Sequence, residues 1–211
     1  MRLALVFFLL CSTPAAAQTC LCLKCLLAPF NYWNLYAVSE AMSPAWGSGD
    51  CMIARKQSDP ARLQRGDVIL FRENRVPFFF RLIGLPGDRV QVKDGQVWLN
   101  DMRLAQVPLP DDKVEMVRSQ TGGFPACYNS PVPEGGTCLR RRFRETLPDG
   151  TNFEVLDIGR SRVDNTGIFT VPEGHVFVLG DNRDNSADSR FASEAGGRGM
   201  VPFDAIWGVI E

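Results

Sequence analysis

Three aspartates, two arginines, two asparagines and two serines fall within the eleven residues Gly180 to Arg190. Charges of both signs, interleaved directly behind an apolar run, are costly to bury unless each is matched. The pattern therefore predicts a paired polar network that supports a site, not an idle solvated loop. The run lacks the glycine and terminal glutamate of a calcium loop, so metal binding is not expected of it. Elsewhere, groups able to act as a base are few. The chain has four lysines, Lys24, Lys56, Lys93 and Lys113, and one histidine, His175.

Such a loop needs a strand to deliver it. Val176-Phe177-Val178-Leu179, opened by the turn residues Pro172-Glu173-Gly174, predicts that strand. Further short apolar runs between turn signals predict strands at Leu35–Val38, Cys51–Arg55, Val68–Phe71 and Phe78–Gly84. One hairpin is expected to pair Arg89–Val92 with Gln96–Leu99, a second to turn about Leu147–Gly150, and Ala205–Ile210 to close the chain. Pro44 keeps Ser43 out of helical geometry. Residues 101–135, rich in Pro, Gly and charge, read as loop or insert, and Arg140–Arg144 as a solvated strand face. The one helical expectation is a short turn at Ser193–Ala195. No repeat is present, and the fold class predicted is all-β.

With 211 residues and 45% hydrophobic content the chain can bury one sizeable core and a smaller insert. A formal net charge of −1 gives no general pull toward nucleic acid. At the N-terminus, Arg2, the apolar core Leu3–Cys11, Pro14 and Ala15-Ala16-Ala17 read as an export signal cleaved after Ala17. The rival reading is an uncleaved anchor continuing through Leu21–Leu27, although the apolar core falls well short of the ~20 residues a spanning helix needs. Export leaves Cys20, Cys22, Cys25, Cys51, Cys127 and Cys138, an even set suited to disulfides in an oxidising compartment. Cys127 and Cys138 bracket a Pro/Gly-rich loop and are the expected pair, while the pairing of the other four is open. No metal or other cofactor is expected, since a single histidine leaves the cysteine cluster short of common ligand sets.

Four ordered blocks carry a family resemblance. They are Ser39-x-x-Met42-x-Pro44 with Gly49-Asp50, then Arg65-Gly66-Asp67-Val68, then Arg81-x-x-Gly84-Leu85-Pro86-Gly87-Asp88, and finally Gly180 to Arg190. In these blocks the chain resembles bacterial signal peptidase I, the serine/lysine leader peptidases of the S26 family. The resemblance implies two antiparallel β-sheet domains, the smaller inserted in the larger. Residues 18–100 and 169–211 would form the main domain and residues 101–168 the insert. It also implies a serine nucleophile, a buried neutral lysine as general base, and an oxyanion held by backbone N–H and a serine hydroxyl.

The chain departs from that pattern at both catalytic positions. The nucleophile directly precedes the methionine of the first block, here Met42, so its position holds Ala41. The base directly precedes the arginine of the third block, here Arg81, so its position holds Phe80. Ser39 occupies the oxyanion-assisting place, and Ser39 and Ser43, which share the strand alternation of residue 41, are the candidates for a substitute nucleophile. The resemblance assigns support roles to Met42, to Arg81 paired with Asp181, to Ser186, and to Asp188 paired with Arg190. The expectation is an exported, periplasmic or extracytoplasmic homologue lacking activity, with an extended peptide or preprotein as partner and no nucleic acid. An active endopeptidase and a structural subunit are the alternatives. Phe78, Phe79 and Trp46 are candidates for peripheral membrane contact.

Overall fold

A computed structural model describes residues 20–57, 59–119 and 122–211. The expected signal segment, residues 1–17, lies outside the described residues. Among the described residues, a five-residue helix, α1 (Leu23–Leu27), is followed by fourteen strands. These are β1 (Tyr32–Tyr36), β2 (Cys51–Lys56), β3 (Val68–Glu73), β4 (Val76–Gly84), β5 (Arg89–Lys93), β6 (Gln96–Leu99) and β7 (Met102–Arg103). The second half adds β8 (Ala105–Glu115), β9 (Thr137–Thr146), β10 (Asn152–Leu156), β11 (Phe169–Thr170), β12 (His175–Leu179), β13 (Val201–Pro202) and β14 (Ile206–Ile210). The protein is all-β. Its strands form a seven-stranded sheet ordered β1-β2-β14-β3-β4-β12-β13, a three-stranded sheet β10-β9-β8 and a four-stranded sheet β11-β5-β6-β7. The three-stranded sheet is drawn wholly from residues 105–156.

Alternation along two strands divides the interior. On β12, Val176 and Val178 join one apolar cluster with Met42, Met52, Ile69 and Leu82, whereas Phe177 and Leu179 join another with Ile83, Val90, Leu99 and Val155. Successive side chains of a strand point to opposite faces, so β12 and its neighbour β4 form a wall with a core on each side. That explains why Val176–Leu179 is apolar at every position and buried throughout. Among the described residues, a short 3₁₀ turn occupies Ser193–Ala195, where the sequence predicts one.

Three features differ from the sequence reading. Within the stretch expected as loop, Ala105–Glu115 is an eleven-residue strand. It lies at the edge of its sheet, buries none of its residues and carries Pro108 and Pro110, which only an edge tolerates. Its polarity therefore reflects its edge position. The helix α1 was not expected; a Cys22–Cys25 disulfide spans its first turn, and Cys22 Sγ accepts the Cys25 N–H at 2.9 Å. Finally, Arg140 is not on a solvated face: it is buried against Asp112 and Glu40. Disulfides join Cys127 to Cys138, as anticipated, and Cys20 to Cys51, which ties the segment before α1 to the start of β2.

Candidate functional site

The loop after β12 is built around two buried carboxylates. Asp188, fully buried, accepts from the Gly180 N–H at 3.0 Å, the Ser186 hydroxyl at 2.9 Å and the Arg190 N–H at 3.1 Å. The Arg190 guanidinium adds Nε and Nη2, both at 2.9 Å. Asp181 receives a two-pronged bond from Arg81 of β4, through Nε at 2.7 Å and Nη2 at 2.6 Å, while Arg81 Nη1 donates to the Gly66 carbonyl at 2.7 Å. The Arg81 guanidinium also lies over the Phe153 ring, 4.3 Å from its centroid. Gly66 holds φ +93° and Asp88 accepts a fork from Arg65, so the second and third sequence blocks form one continuous support for Arg81.

A third buried pair was not foreseen. Arg183 donates to Glu145 of β9 at 2.6 and 3.1 Å and to the Gly180 carbonyl at 3.2 Å, which joins the three-stranded sheet to the loop. The Arg183 N–H donates to Leu156 and the Leu156 N–H to Asp181, both through backbone carbonyls, which extends the same join to β10. Asp184 Oδ2 accepts from the N–H groups of Ile158 and Gly159, at 2.7 and 3.0 Å.

The loop fixes the segment that holds Ala41. Asn182 donates its backbone N–H to the Ala41 carbonyl at 3.0 Å and its side-chain amide to the Glu40 carbonyl at 3.1 Å. Gly180 is needed for this approach, since a Cβ there would lie 2.7 Å from the Ala41 carbonyl oxygen and 2.1 Å from Ser186 Oγ. From the other side, the Glu40 carboxylate accepts from Ser43 Oγ at 2.6 Å, the Ser48 N–H at 2.9 Å and Arg140. Burial opposes ionisation of Glu40, but the bonds from Ser43, Ser48 and Arg140 outweigh it and hold the carboxyl below the ordinary glutamate value.

Ala41 and Phe80 line one hollow of about 450 Å³, together with Ser39, Phe78, Ser186 and Phe191. A second hollow, about 480 Å³, shares Ser39 and Asn185 with the first and runs past β8 toward Phe124. Phe80 is buried, its ring 6.2 Å from that of Phe71. Ser186 donates to Asp188 and has no amine to receive it in the hollow, because none of the four lysines lines either hollow. Ser43 is buried and its hydroxyl is committed to Glu40. Ser39 is exposed, and its Oγ accepts a long bond, 3.4 Å, from the Ala41 N–H. Met42 is fully buried in the first core.

The apolar residues proposed for membrane contact are dispersed. Phe78 lies in the hollow under the Arg198 guanidinium, at 4.1 Å. Phe79 lines a separate aromatic depression with Trp33 and Trp207, and Trp46 packs partly buried on the first core. Glu40, Asn182, Arg183 and Glu145 are the site-building residues that sequence reasoning missed. Asn182 and Arg183 sat within the dense loop, but nothing local marked their partners.

Comparison with known proteins places the chain in a family. A model of the family described as signal peptidase, peptidase S26, matches residues 12–211. Signal peptidase I of Rickettsia typhi is 35% identical over 155 residues, covering 69% of this chain and 49% of that protein. Signal peptidase I of Rickettsia bellii is 40% identical over 151 residues, covering 67% of this chain and 44% of that protein. The chain thus spans about half the length of the curated relatives it matches. A crystal structure of a signal peptidase I from Enterococcus faecalis V583 aligns with a TM-score of 0.36 and 25% identity, covering 71% of this chain and 97% of the other. With a family match over nearly its whole length, the chain belongs to the signal peptidase family, peptidase S26.

Proposed function

We propose that this protein is a catalytically silent member of the signal peptidase family that keeps a groove for an extended peptide. The observation that carries the reading is the pair Ala41 and Phe80 on the wall of one hollow, at the positions that resemblance assigns to nucleophile and base. An alanine methyl has no lone pair to attack a carbonyl, and a phenyl ring accepts no proton. The surrounding ion pairs hold the groove's shape but supply neither function. Two adjoining hollows, the second bordered by the edge strand β8, suit an extended chain that adds alongside existing strands. The disulfides support an extracytoplasmic location. Exposed Leu21, Leu23, Leu26, Leu27 and Phe30 support placement beside a membrane, although no described helix is long and apolar enough to cross one.

The test is to incubate the purified protein with a preprotein carrying an Ala-x-Ala cleavage site, alongside the Ala41→Ser/Phe80→Lys double variant. The expected result is no cleavage by the natural protein and measurable cleavage by the double variant. Specific cleavage by the natural protein overturns the reading. It would favour a second one, an active endopeptidase using Ser39, whose exposure on the groove is the observation behind that reading. Covalent labelling of Ser39 would identify it.

A further inference from the structure

We propose that Cys22 and Cys25 form a redox centre that exchanges with a dithiol and whose oxidised state holds α1 together. The two cysteines stand as Cys-x-x-Cys in the sequence, and a disulfide joins them across the first turn of α1. None of the five residues of α1 is buried, and Leu23, Leu26 and Leu27 are 65%, 77% and 75% exposed. A helix this short does not stand alone in water, where about 12–15 residues give only marginal helicity. Lys24 pairs with Glu211 and lies over the Tyr32 ring at 5.4 Å, but both partners of the ion pair are solvated. Such a contact holds a segment weakly.

The other two disulfides sit in firm frames. Cys138 is fully buried in β9, where Tyr128 and Asn129 bond back to Leu139 and Thr137 beside it. Cys20 is held beside β1 by the Tyr36 hydroxyl, which accepts its N–H at 2.8 Å, and Cys51 opens β2. Either pair, once opened, stays side by side and recloses. Cys22 and Cys25 instead part as α1 unwinds, and the conformational entropy gained favours the reduced form.

Exposure sets the direction of attack. Cys22 is buried, whereas Cys25 is only partly so. A thiolate of the dithiol attacks Cys25 Sγ, the Cys22–Cys25 bond breaks, and Cys22 leaves as a thiolate. Cys22 Sγ already accepts the Cys25 N–H at 2.9 Å, a bond that strengthens with negative charge on the sulfur. The second thiolate of the reductant attacks its partner sulfur in the mixed disulfide and expels Cys25. The dithiol gives up two electrons and two protons and becomes a disulfide, while Cys22 and Cys25 become thiols. Leu23, Leu26 and Leu27, spaced i, i+3 and i+4, share one face only while the helix exists. Exchange therefore sets whether that apolar face is presented.

Dithiothreitol is the probe: the purified protein is reduced for graded times, alkylated and mapped by mass spectrometry. Cys22 and Cys25 are expected to take label at least about tenfold faster than Cys20, Cys51, Cys127 and Cys138. Glutathione, a monothiol, should leave its adduct on Cys25. Trypsin should cut after Lys24 about tenfold faster once this pair is reduced, and as fast without reductant in Cys22→Ser/Cys25→Ser. Equal or earlier labelling of either other pair overturns the centre. An adduct on Cys22 overturns the direction of attack. Unchanged cutting after Lys24 in the reduced protein overturns the hold on α1.

Discussion

The loop Gly180–Arg190 and the pair Ala41/Phe80 border the same hollow, and they carry opposite chemistry. In the loop, the buried side chains of Asp181, Arg183, Asp188 and Arg190 meet charge with charge. On the wall opposite, the two positions where a leader peptidase would carry reactive groups are apolar. On the proposed reading, support and reaction chemistry are separable in this fold. Under the proposed silent reading, the support would be kept because removing one partner from a buried pair strands the other, a cost of several kcal/mol that falls on folding. On the same reading, a hydroxyl or a lysine outside any buried ion pair could be replaced without such a penalty. Phe80 is buried and keeps its apolar surface out of water.

The largest effect that could break this contrast is at Asp188. Asp188→Ala would leave the buried Arg190 guanidinium, the Gly180 N–H and the Ser186 hydroxyl without their acceptor. A loss of about 3–5 kcal/mol is expected in urea unfolding. A loss below about 1 kcal/mol would mean the loop is solvated like an ordinary surface pair, and the contrast would fall.

A smaller effect concerns Asp157, a carboxylate behind the loop with no ion pair among the described residues. Burial first, then the neighbouring charges of Asp184 and Asp164, push it up to about 6. The folded state therefore holds this proton more tightly than the unfolded chain does. Stability should fall as pH rises from about 4 to about 6 and stay level on either side. Asp157→Asn should accordingly stabilise the protein at pH 7 by about 1 kcal/mol, allowing for partial exposure, with no gain near pH 3. Equal stabilisation at both values would show that the effect is not ionisation.

The smallest effect is expected at Ala41. Ala41→Ser should change unfolding stability by less than about 0.5 kcal/mol, since the side chain faces the hollow. A loss above about 2 kcal/mol would mean that the missing hydroxyl reflects packing, and the wall would then be structural in the same sense as the loop.

Much of the fold was legible because its signals are local. Short apolar runs between Gly, Pro and Asp turns gave the strands from Cys51 to Leu99 and the hairpin about Leu147–Gly150. The Cys127–Cys138 pair was legible for the same reason, being only eleven residues apart. The edge strand Ala105–Glu115 was not, because a strand solvated along its length has no apolar period to read. Nor were Glu145–Arg183 and Arg140–Glu40. Those partners lie 38 and 100 residues apart, and nothing in either sequence neighbourhood refers to the other.

For the site, the types of residue were decided along the chain. That residue 41 has no hydroxyl and residue 80 no amine is a property of each side chain, and no folding can add the missing group. Which atoms then share a hollow was decided in three dimensions. Ala41, Phe80, Ser39 and Arg162 line one cavity because β4 presents Phe80 on one face and Arg81 on the other, and because Asn182 holds the Ala41 segment across a glycine contact. Strand register and close backbone approach depend on pairings across the whole sheet, and no stretch of sequence contains them.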